Sequence, residues 1–267
     1  MNQLRLVDRF RALHVEGTFV MPNPHDVGAA RILTAIGFPA LATTSSGFAM
    51  SLGRFDATVT RDELVAHVAA ICASTDVPVN VDSERCYPDD PGGVEATIKM
   101  LAAAGAAGCS LEDWNPVAGR IEPLAEAVET IRRASEVAAR VGIVLTARAE
   151  NHIRGVDDLD DTLARLVAYR AAGAEVVYAP GLVDLAQIRR VVNETDAPVN
   201  VLQLPGGPSV AQLTEAGVRR ISLGSVLSNV AYGAFAVAAQ RLFDEGTVLT
   251  TEPRLTRDVA AKAFGPR

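Results

Sequence analysis

Four carboxylates, Asp56, Asp82, Glu84 and Glu112, and one arginine, Arg148, stand at or just past the ends of short apolar runs in this chain. Acids brought to one surface repel unless protons or a cation neutralise them, and a hard divalent cation is the simplest neutraliser. Mg2+ takes oxygen ligands octahedrally and keeps several waters, so one direct carboxylate with water-bridged neighbours suffices; Mn2+ favours a similar oxygen site. Asp82 and Glu84 alternate on one strand end and share a face. Taken singly, each acid is as well explained as a helix cap or the partner of a surface arginine; as a set they favour the metal. Arg148, ending an apolar run, needs an anionic partner. A substrate carboxylate held bidentately would serve, as would Glu150 or Glu112 in a structural pair.

Other candidates cluster at the same ends. Thr44-Ser45-Ser46-Gly47 offers hydroxyls and backbone N–H groups to a second carboxylate end, although small polar residues usually just form turns. Asn23, Asp26 and Asn200 also follow strands, and Trp114, directly after Glu112 and Asp113, is placed to wall a pocket. For proton transfer the candidates are Cys86, two residues past Glu84, then Tyr87 and His152. Cys72 and Cys109 sit in apolar periodic stretches and read as small hydrophobes; His14 and His67 lie in helical stretches and read as surface or core residues. Gly206-Gly207 and Gly224-Ser225 have no basic residue assigned to them as a phosphate site and read as turns.

The elements that must position these groups follow a rhythm. Eight β-rich segments recur, at Phe19–Pro22, Ala40–Thr44, Pro78–Asp82, Gly108–Glu112, Ile143–Arg148, Glu175–Ala179, Pro198–Leu202 and Arg220–Leu223. Alanine-rich helical stretches separate them, among them Arg61–Ser74, Gly93–Ala104, Pro123–Val141, Asp157–Ala172 and Val183–Asn193. Helices run into glycines before the next strand, as at Gly37, Gly105, Gly173 and Gly217, where a left-handed C-cap is expected. Eight βα units predict a (β/α)8 barrel spanning residues 1–267 as one domain, with about 244–267 a tail packing on the barrel or a neighbouring subunit. An open Rossmann sheet would want a glycine fingerprint after the first strand, and the chain has Asn23-Pro24-His25-Asp26-Val27-Gly28. In a barrel the chemistry sits at the strands' C-terminal ends, where the acids are.

Composition narrows the function. The chain has 267 residues, 49% hydrophobic, with 25 basic against 32 acidic side chains for a net charge of −7. That excludes disorder and coiled coil, and offers neither the basic footprint for nucleic acid nor a polybasic membrane patch. Three cysteines fit a reducing compartment, and the charged first turns, with Arg5, Asp8, Arg9 and Arg11, lack a signal peptide's apolar stretch, so a cytoplasmic location is expected. The uncharged stretches between Arg31 and Arg54 and over Ile221–Gln240 are broken by glycine, proline, serine and asparagine; neither reads as a membrane span.

The chain resembles the isocitrate lyase/phosphoenolpyruvate mutase superfamily over nearly its whole length. The likeness rests on Pro22-Asn23-Pro24-His25-Asp26, Thr44 to Gly47 with Ser51-Leu52-Gly53 and Asp56, Val81 to Glu84, Ser110 to Asp113, Ala147 to Glu150, Pro180-Gly181, and Asn200-Val201-Leu202 with Pro205-Gly206. It implies a Mg2+ site with Asp82, Glu84 and Glu112 in the metal shell and Asp56 water-bridged. It also implies Arg148 on a carboxylate, Ser46 and Gly47 as backbone donors, and a 2-oxo acid substrate held as its enolate while a C–C or P–C bond on its third carbon breaks or forms. Exchange of the last barrel helix between subunits, giving a homodimer or homotetramer, is implied as well. The sequence departs where such lyases carry a lysine-basic-cysteine-glycine-histidine loop: here Trp114 to Arg120 hold no cysteine, histidine or lysine. Arg85 and Cys86 also replace small residues of the usual Asp-x-Asp/Glu-x-Gly-Tyr stretch; Arg85 could bind a further anion or fold back onto Asp89 and Asp90. The favoured expectation is a Mg2+-dependent carbon–carbon lyase or decarboxylase. The alternatives are phosphonate or enolpyruvate mutase or hydrolase chemistry, and a non-catalytic oxo acid binding protein.

Overall fold

The computed structural model describes residues 3–247 and 254–265. Its strands are β1 (Phe19–Met21), β2 (Leu41–Ala42), β3 (Val79–Asp82), β4 (Gly108–Glu112), β5 (Trp114–Asn115), β6 (Arg120–Ile121), β7 (Val144–Arg148), β8 (Val176–Tyr178), β9 (Val199–Leu202) and β10 (Arg220–Ser222). The helices are α1 (Gln3–Leu13), α2 (Val27–Ile36), α3 (Ser45–Ser51), α4 (Arg61–Ser74), α5 (Gly93–Ala103), α6 (Leu124–Val141), α7 (Leu159–Ala171), α8 (Leu185–Glu194), α9 (Val210–Glu215), α10 (Val226–Glu245) and α11 (Arg257–Phe264).

Eight strands pair in the order β1-β10-β9-β8-β7-β4-β3-β2, every pair parallel. The two ends of that row meet through a backbone hydrogen bond, Ala42 N–H to the Pro22 carbonyl at 3.0 Å, so the sheet is a nearly closed barrel. Local signals explain the helices around it. In α6, Ala127, Ile131, Ala134, Val137 and Ala138 are buried at helical spacing. α4 opens with a capping box of Thr60 and Glu63. Gly37, Gly105, Gly173 and Gly217 have φ of 108°, 101°, 104° and 86°, the region glycine tolerates best.

Two details depart from the sequence expectation. Thr44-Ser45-Ser46-Gly47 is not a free turn: Thr44 caps α3, its Oγ1 accepting from the Gly47 N–H at 3.3 Å, and this early helix start shortens β2. The residues after Glu112 form a small antiparallel hairpin, β5 with β6, its tip held by Asn115 Oδ1 accepting from the Val117 and Ala118 amides at 3.1 and 2.9 Å.

The barrel interior is unusually polar. Barrels of this kind are normally filled by branched apolar side chains. Here Asn80, Ser110, Thr146, Asn200, Arg220 and Ser222 are all buried. By contrast α10 stands largely off the barrel: only Ser228 in it is buried, while Val230, Phe235, Val237, Leu242 and Phe243 are exposed. α11 packs on α2 instead, with Arg31 donating to the Gly265 carbonyl at 3.1 Å and lying over the Phe264 ring. Residues 248–253 and 266–267 of the expected tail lie outside the described residues. No described helix is long and apolar enough to cross a membrane.

Candidate active site

Strands β3, β4 and β7 bring Asp82, Glu112 and Arg148 to one end of the barrel, in register: Asp82 pairs with Ser110, and Glu112 with Arg148. Arg148 is the hub. Its Nη1 donates to Asp82 Oδ1 at 2.7 Å, its Nη2 lies 3.1 Å from Glu112 Oε2 and 2.8 Å from Glu150 Oε1, and its guanidinium sits 5.2 Å from the Tyr178 ring centroid. Burial works against its charge, but Glu150, Glu112 and Asp82 outweigh that and hold its pKa well above the usual arginine range. The other oxygen of Asp82 accepts the Ser45 N–H at 3.0 Å, which docks the start of α3 onto β3.

The acids still outnumber their cations. Glu112 is pushed well above the carboxylate range by burial, against the pull of Arg148 and with further push from Glu150 and Asp82. Glu84 is pushed up to about 7 by burial, then by Asp82 and Asp56. No ion pair reaches Glu84 among the described residues. The turn carrying it is strained: Glu84, Cys86 and Tyr87 have φ of 48°, 55° and 50°, the left-handed region that costs a side-chain-bearing residue about 1–2 kcal/mol. The resemblance puts glycine where Cys86 stands, and this φ is the physical reason.

A cavity of about 160 Å³ opens among these strand ends, lined among others by Ser45, Ser46, Asp56, Asp82, Arg148, Tyr178, Asn23, Asn200, Arg220 and Ser222. A larger cavity of about 210 Å³ lies behind Glu112, towards Arg85, Glu122 and α6. The first is where the strand ends converge and is the candidate site.

The structure brings together Ser45, Ser46, Asp56, Asp82, Arg148, Asn23 and Asn200 around that cavity. Asn23 and Asn200 also have structural tasks. Asn23 Oδ1 accepts the Leu223 and Gly224 amides at 2.9 and 3.0 Å and its Nδ2 donates to Thr43 O at 2.8 Å, which stitches the barrel seam. Asn200 donates to Ser222 Oγ at 2.9 Å. Gly47 is packed so closely that a Cβ there would lie 2.5 Å from Thr44 Cγ2 and 2.7 Å from Ser228 Oγ.

Five expectations need correction. Cys86 is not at the mouth: it is fully buried in the core, its Sγ 3.1 Å from Ser83 Oγ, because the tight turn folds it inward. Tyr87 is turned away, its hydroxyl donating to Val59 O at 3.1 Å. His152 faces α7, its Nε2 3.1 Å from Thr162 Oγ1, and burial lowers its pKa. Asp26 caps α2, accepting the Ala29 N–H at 2.7 Å. Trp114 lies in the hairpin under Arg154, 4.5 Å from guanidinium carbon to ring centroid, rather than on the cavity wall. Arg85 pairs with Glu122 at 3.1 Å and reaches Asp89 at 4.0 Å, while Asp90 pairs with Arg61 at 3.3 Å.

Sequence reasoning missed three groups. Tyr178, the last residue of β8, and Arg220 on β10 both line the cavity; the alternation Arg220-Ile221-Ser222 on a strand was the available signal for Arg220. Asp113 carries a buried network: it accepts the Glu150 N–H at 2.9 Å, the Tyr169 hydroxyl at 2.6 Å and Arg165 Nη1 at 3.1 Å, and so fixes Glu150 beneath Arg148.

With the site described, its likeness to other proteins is informative. A family model described as phosphoenolpyruvate phosphomutase matches residues 10–243. A structure from Burkholderia cenocepacia J2315, provisionally named a lyase/mutase, is 42% identical and superposes at a TM-score of 0.93, covering 99% of this chain and 97% of that one. A 2,3-dimethylmalate lyase, described as a PEP mutase/isocitrate lyase superfamily member, superposes at 0.85 with 25% identity, covering 99% and 95%. Oxaloacetate decarboxylase from Rhodopseudomonas palustris is 27% identical over 198 residues, 71% of this chain and 68% of its own. The chain belongs to the phosphoenolpyruvate mutase/isocitrate lyase superfamily, a group of lyases and mutases built on this barrel.

Proposed function

We propose that this chain is a divalent-cation-dependent lyase or decarboxylase that breaks a carbon–carbon bond on the third carbon of a small 2-oxo acid and releases pyruvate or a close relative. The observation that carries the reading is the cavity at the strand ends, where Arg148 and Asp82 meet at 2.7 Å beside Ser45 and Asp56. At about 160 Å³ it is smaller than the roughly 300–1,000 Å³ of drug-sized sites and suits a small acid.

The donor set fits a hard cation. Asp82, Glu84 and Asp56 offer only carboxylate oxygens, and the upward push on Glu84 by its acidic neighbours is what a cation would relieve. Among the described residues no three His, Cys, Asp or Glu side chains form a ready cage, so a cation held here would keep waters. Mg2+ would supply Lewis acidity at the substrate's oxo oxygen; Mn2+ fits the same donors. Arg148 orients the 2-oxo acid's carboxylate, and its positive charge favours the negative charge that grows on the adjoining oxo oxygen as the bond breaks. In that step the electron pair of the bond moves into the carbonyl to give the enolate, and a proton must then reach the third carbon. Cys86, Tyr87 and His152 point elsewhere. The phenol on the cavity wall is Tyr178, pushed up to about 12 by burial and so protonated at neutral pH; it is the proton donor in this proposal, its proton replaced from solvent.

The apolar face of α10 belongs to the same reading: α10 packs on a second copy of the chain as an exchanged barrel helix, and light scattering on Phe235→Asp, losing the dimer or tetramer, tests that. For the reaction, oxalate binding is measured by calorimetry with Mg2+ and with chelator, alongside release of pyruvate from oxaloacetate and of the matching 2-oxo acids from its 3-substituted derivatives. Metal-dependent oxalate binding, lost in Asp82→Ala, with turnover of one oxo acid source abolished in Arg148→Met and slowed in Tyr178→Phe, is the expected result. Oxalate binding without turnover of any such acid would leave a binding protein instead.

A further inference from the structure

Among the described residues Arg220 is the largest fully buried side chain, 1% exposed, on β10, which pairs with β1. Its partners are all neutral. Nε donates to Asn200 Oδ1 at 2.9 Å, Nη2 to Thr146 Oγ1 at 3.0 Å, and Nη1 lies 3.4 Å from His14 Nε2. His14 is itself uncharged, lowered to about 3 by burial and then by Arg220, with Nδ1 on the Phe10 carbonyl at 2.8 Å. The other buried arginines differ. Arg148 has Asp82, Glu112 and Glu150, and Arg165 has Asp113 and Asp161. No ion pair among the described residues includes Arg220.

A buried cation without an anion is costly, several kcal/mol by the general rule, and burial lowers Arg220 only to about 9, so it stays charged at neutral pH. A guanidinium has five N–H donors, and three contacts leave two of them over. The cavity that begins at Asp82 and Arg148 reaches Arg220, with Tyr178 between: its ring is 5.2 Å from Arg148 and it interacts electrostatically with Arg220. A second group waits there. Asn80 also lines the cavity, is 3% exposed, leaves its Oδ1 without a hydrogen bond and has its Nδ2 3.5 Å from the Val81 carbonyl. Its amide nitrogen carries two N–H donors, and that single long contact leaves one for a bound anion.

We propose that the floor of this cavity is a second anion subsite, where Arg220, assisted by Asn80, takes the far carboxylate of a small dicarboxylic acid whose other end lies at Arg148. This rests on the oxo acid reading above and sharpens it: a monocarboxylate such as pyruvate fills only the upper end, and the favoured substrate carries two carboxylates. Arg220 then decides specificity through binding.

The test is calorimetry on the full chain in Mg2+, with malate as the two-ended probe and oxalate as the probe of the upper end alone. In Arg220→Met, malate binding weakens about thirtyfold or more, the effect of removing one partner from a buried charge-assisted contact, while oxalate binding stays within about twofold of wild type. Unchanged malate binding, or equal loss of both ligands, overturns the proposal. Wild type that binds malate but not oxalate, with malate lost in Arg220→Met, upholds the subsite and sinks the reading of the upper end. Binding of neither overturns both. A crystal of wild type soaked in malate and bromide is independent of the variant's folding: a malate carboxylate on the Arg220 guanidinium is expected, and bromide there that malate does not displace, or malate bound elsewhere, refutes the assignment.

Discussion

Arg148 and Arg220 line one cavity from adjoining parts of one barrel, yet their surroundings are opposites. Three carboxylates, Asp82, Glu112 and Glu150, meet Arg148; two neutral oxygens and a neutral imidazole meet Arg220. The pKa directions follow, up for the first and down to about 9 for the second. Burial pushes both guanidinium groups down; only Arg148 has acidic neighbours that outweigh it. A cation surrounded by acids is part of the scaffold as much as of the site, whereas one surrounded by neutral groups still has its charge to give to a ligand.

Four changes break or sharpen that contrast. Arg148→Met leaves three buried acids without their cation and lowers stability by about 3–5 kcal/mol, read by urea unfolding; a loss under about 1 kcal/mol would show that the acids take up protons freely and that the pairing is weak. Glu150→Gln keeps the shape but removes charge from a residue with 0% side-chain exposure, costing about 1.5–3 kcal/mol, and a variant as stable as wild type would shift the weight onto Glu112 and Asp82. His14 sharpens the floor. Its folded pKa is depressed from 6.5 to about 3, so its contribution is present above pH 6.5 and is lost as pH falls below that value, by up to about 1.4 kcal/mol per pH unit. His14→Gln should flatten the acid side of a stability-against-pH curve by that amount, and an unaltered slope would mean the imidazole protonates in place. The smallest effect is Arg220→Met without ligand: release from a buried, unpaired charge offsets the lost bonds to Asn200 and Thr146, and stability changes by less than about 1 kcal/mol. A large loss would make Arg220 a structural ion like Arg148.

Much of the molecule was written in local sequence. Strand spacing, the capping signals of α4 and the four glycines before strands are properties of a few neighbouring residues, and helix and strand periods follow from backbone geometry. The strand-end position of Asp82, Glu112 and Arg148 came with them, because a parallel barrel points those ends to one side. What the sequence could not show was where a side chain points once the chain turns. Cys86 follows Glu84 closely, yet a left-handed turn sends it into the core. Tyr87 and His152 were neighbours of the site in sequence and partners of Val59 and Thr162 in space. Arg220 shows the same limit from the other side: in sequence it is one of two adjacent arginines before Ile221 and Ser222. Only the closed barrel, which sets Asn200, Thr146 and His14 around it and no acid, makes it a buried cation facing the cavity. Local sequence determines backbone conformation through short-range sterics and hydrogen bonds. The charge environment of a side chain depends on partners as far away as the 206 residues separating His14 from Arg220, and only the tertiary structure decides which of them arrive.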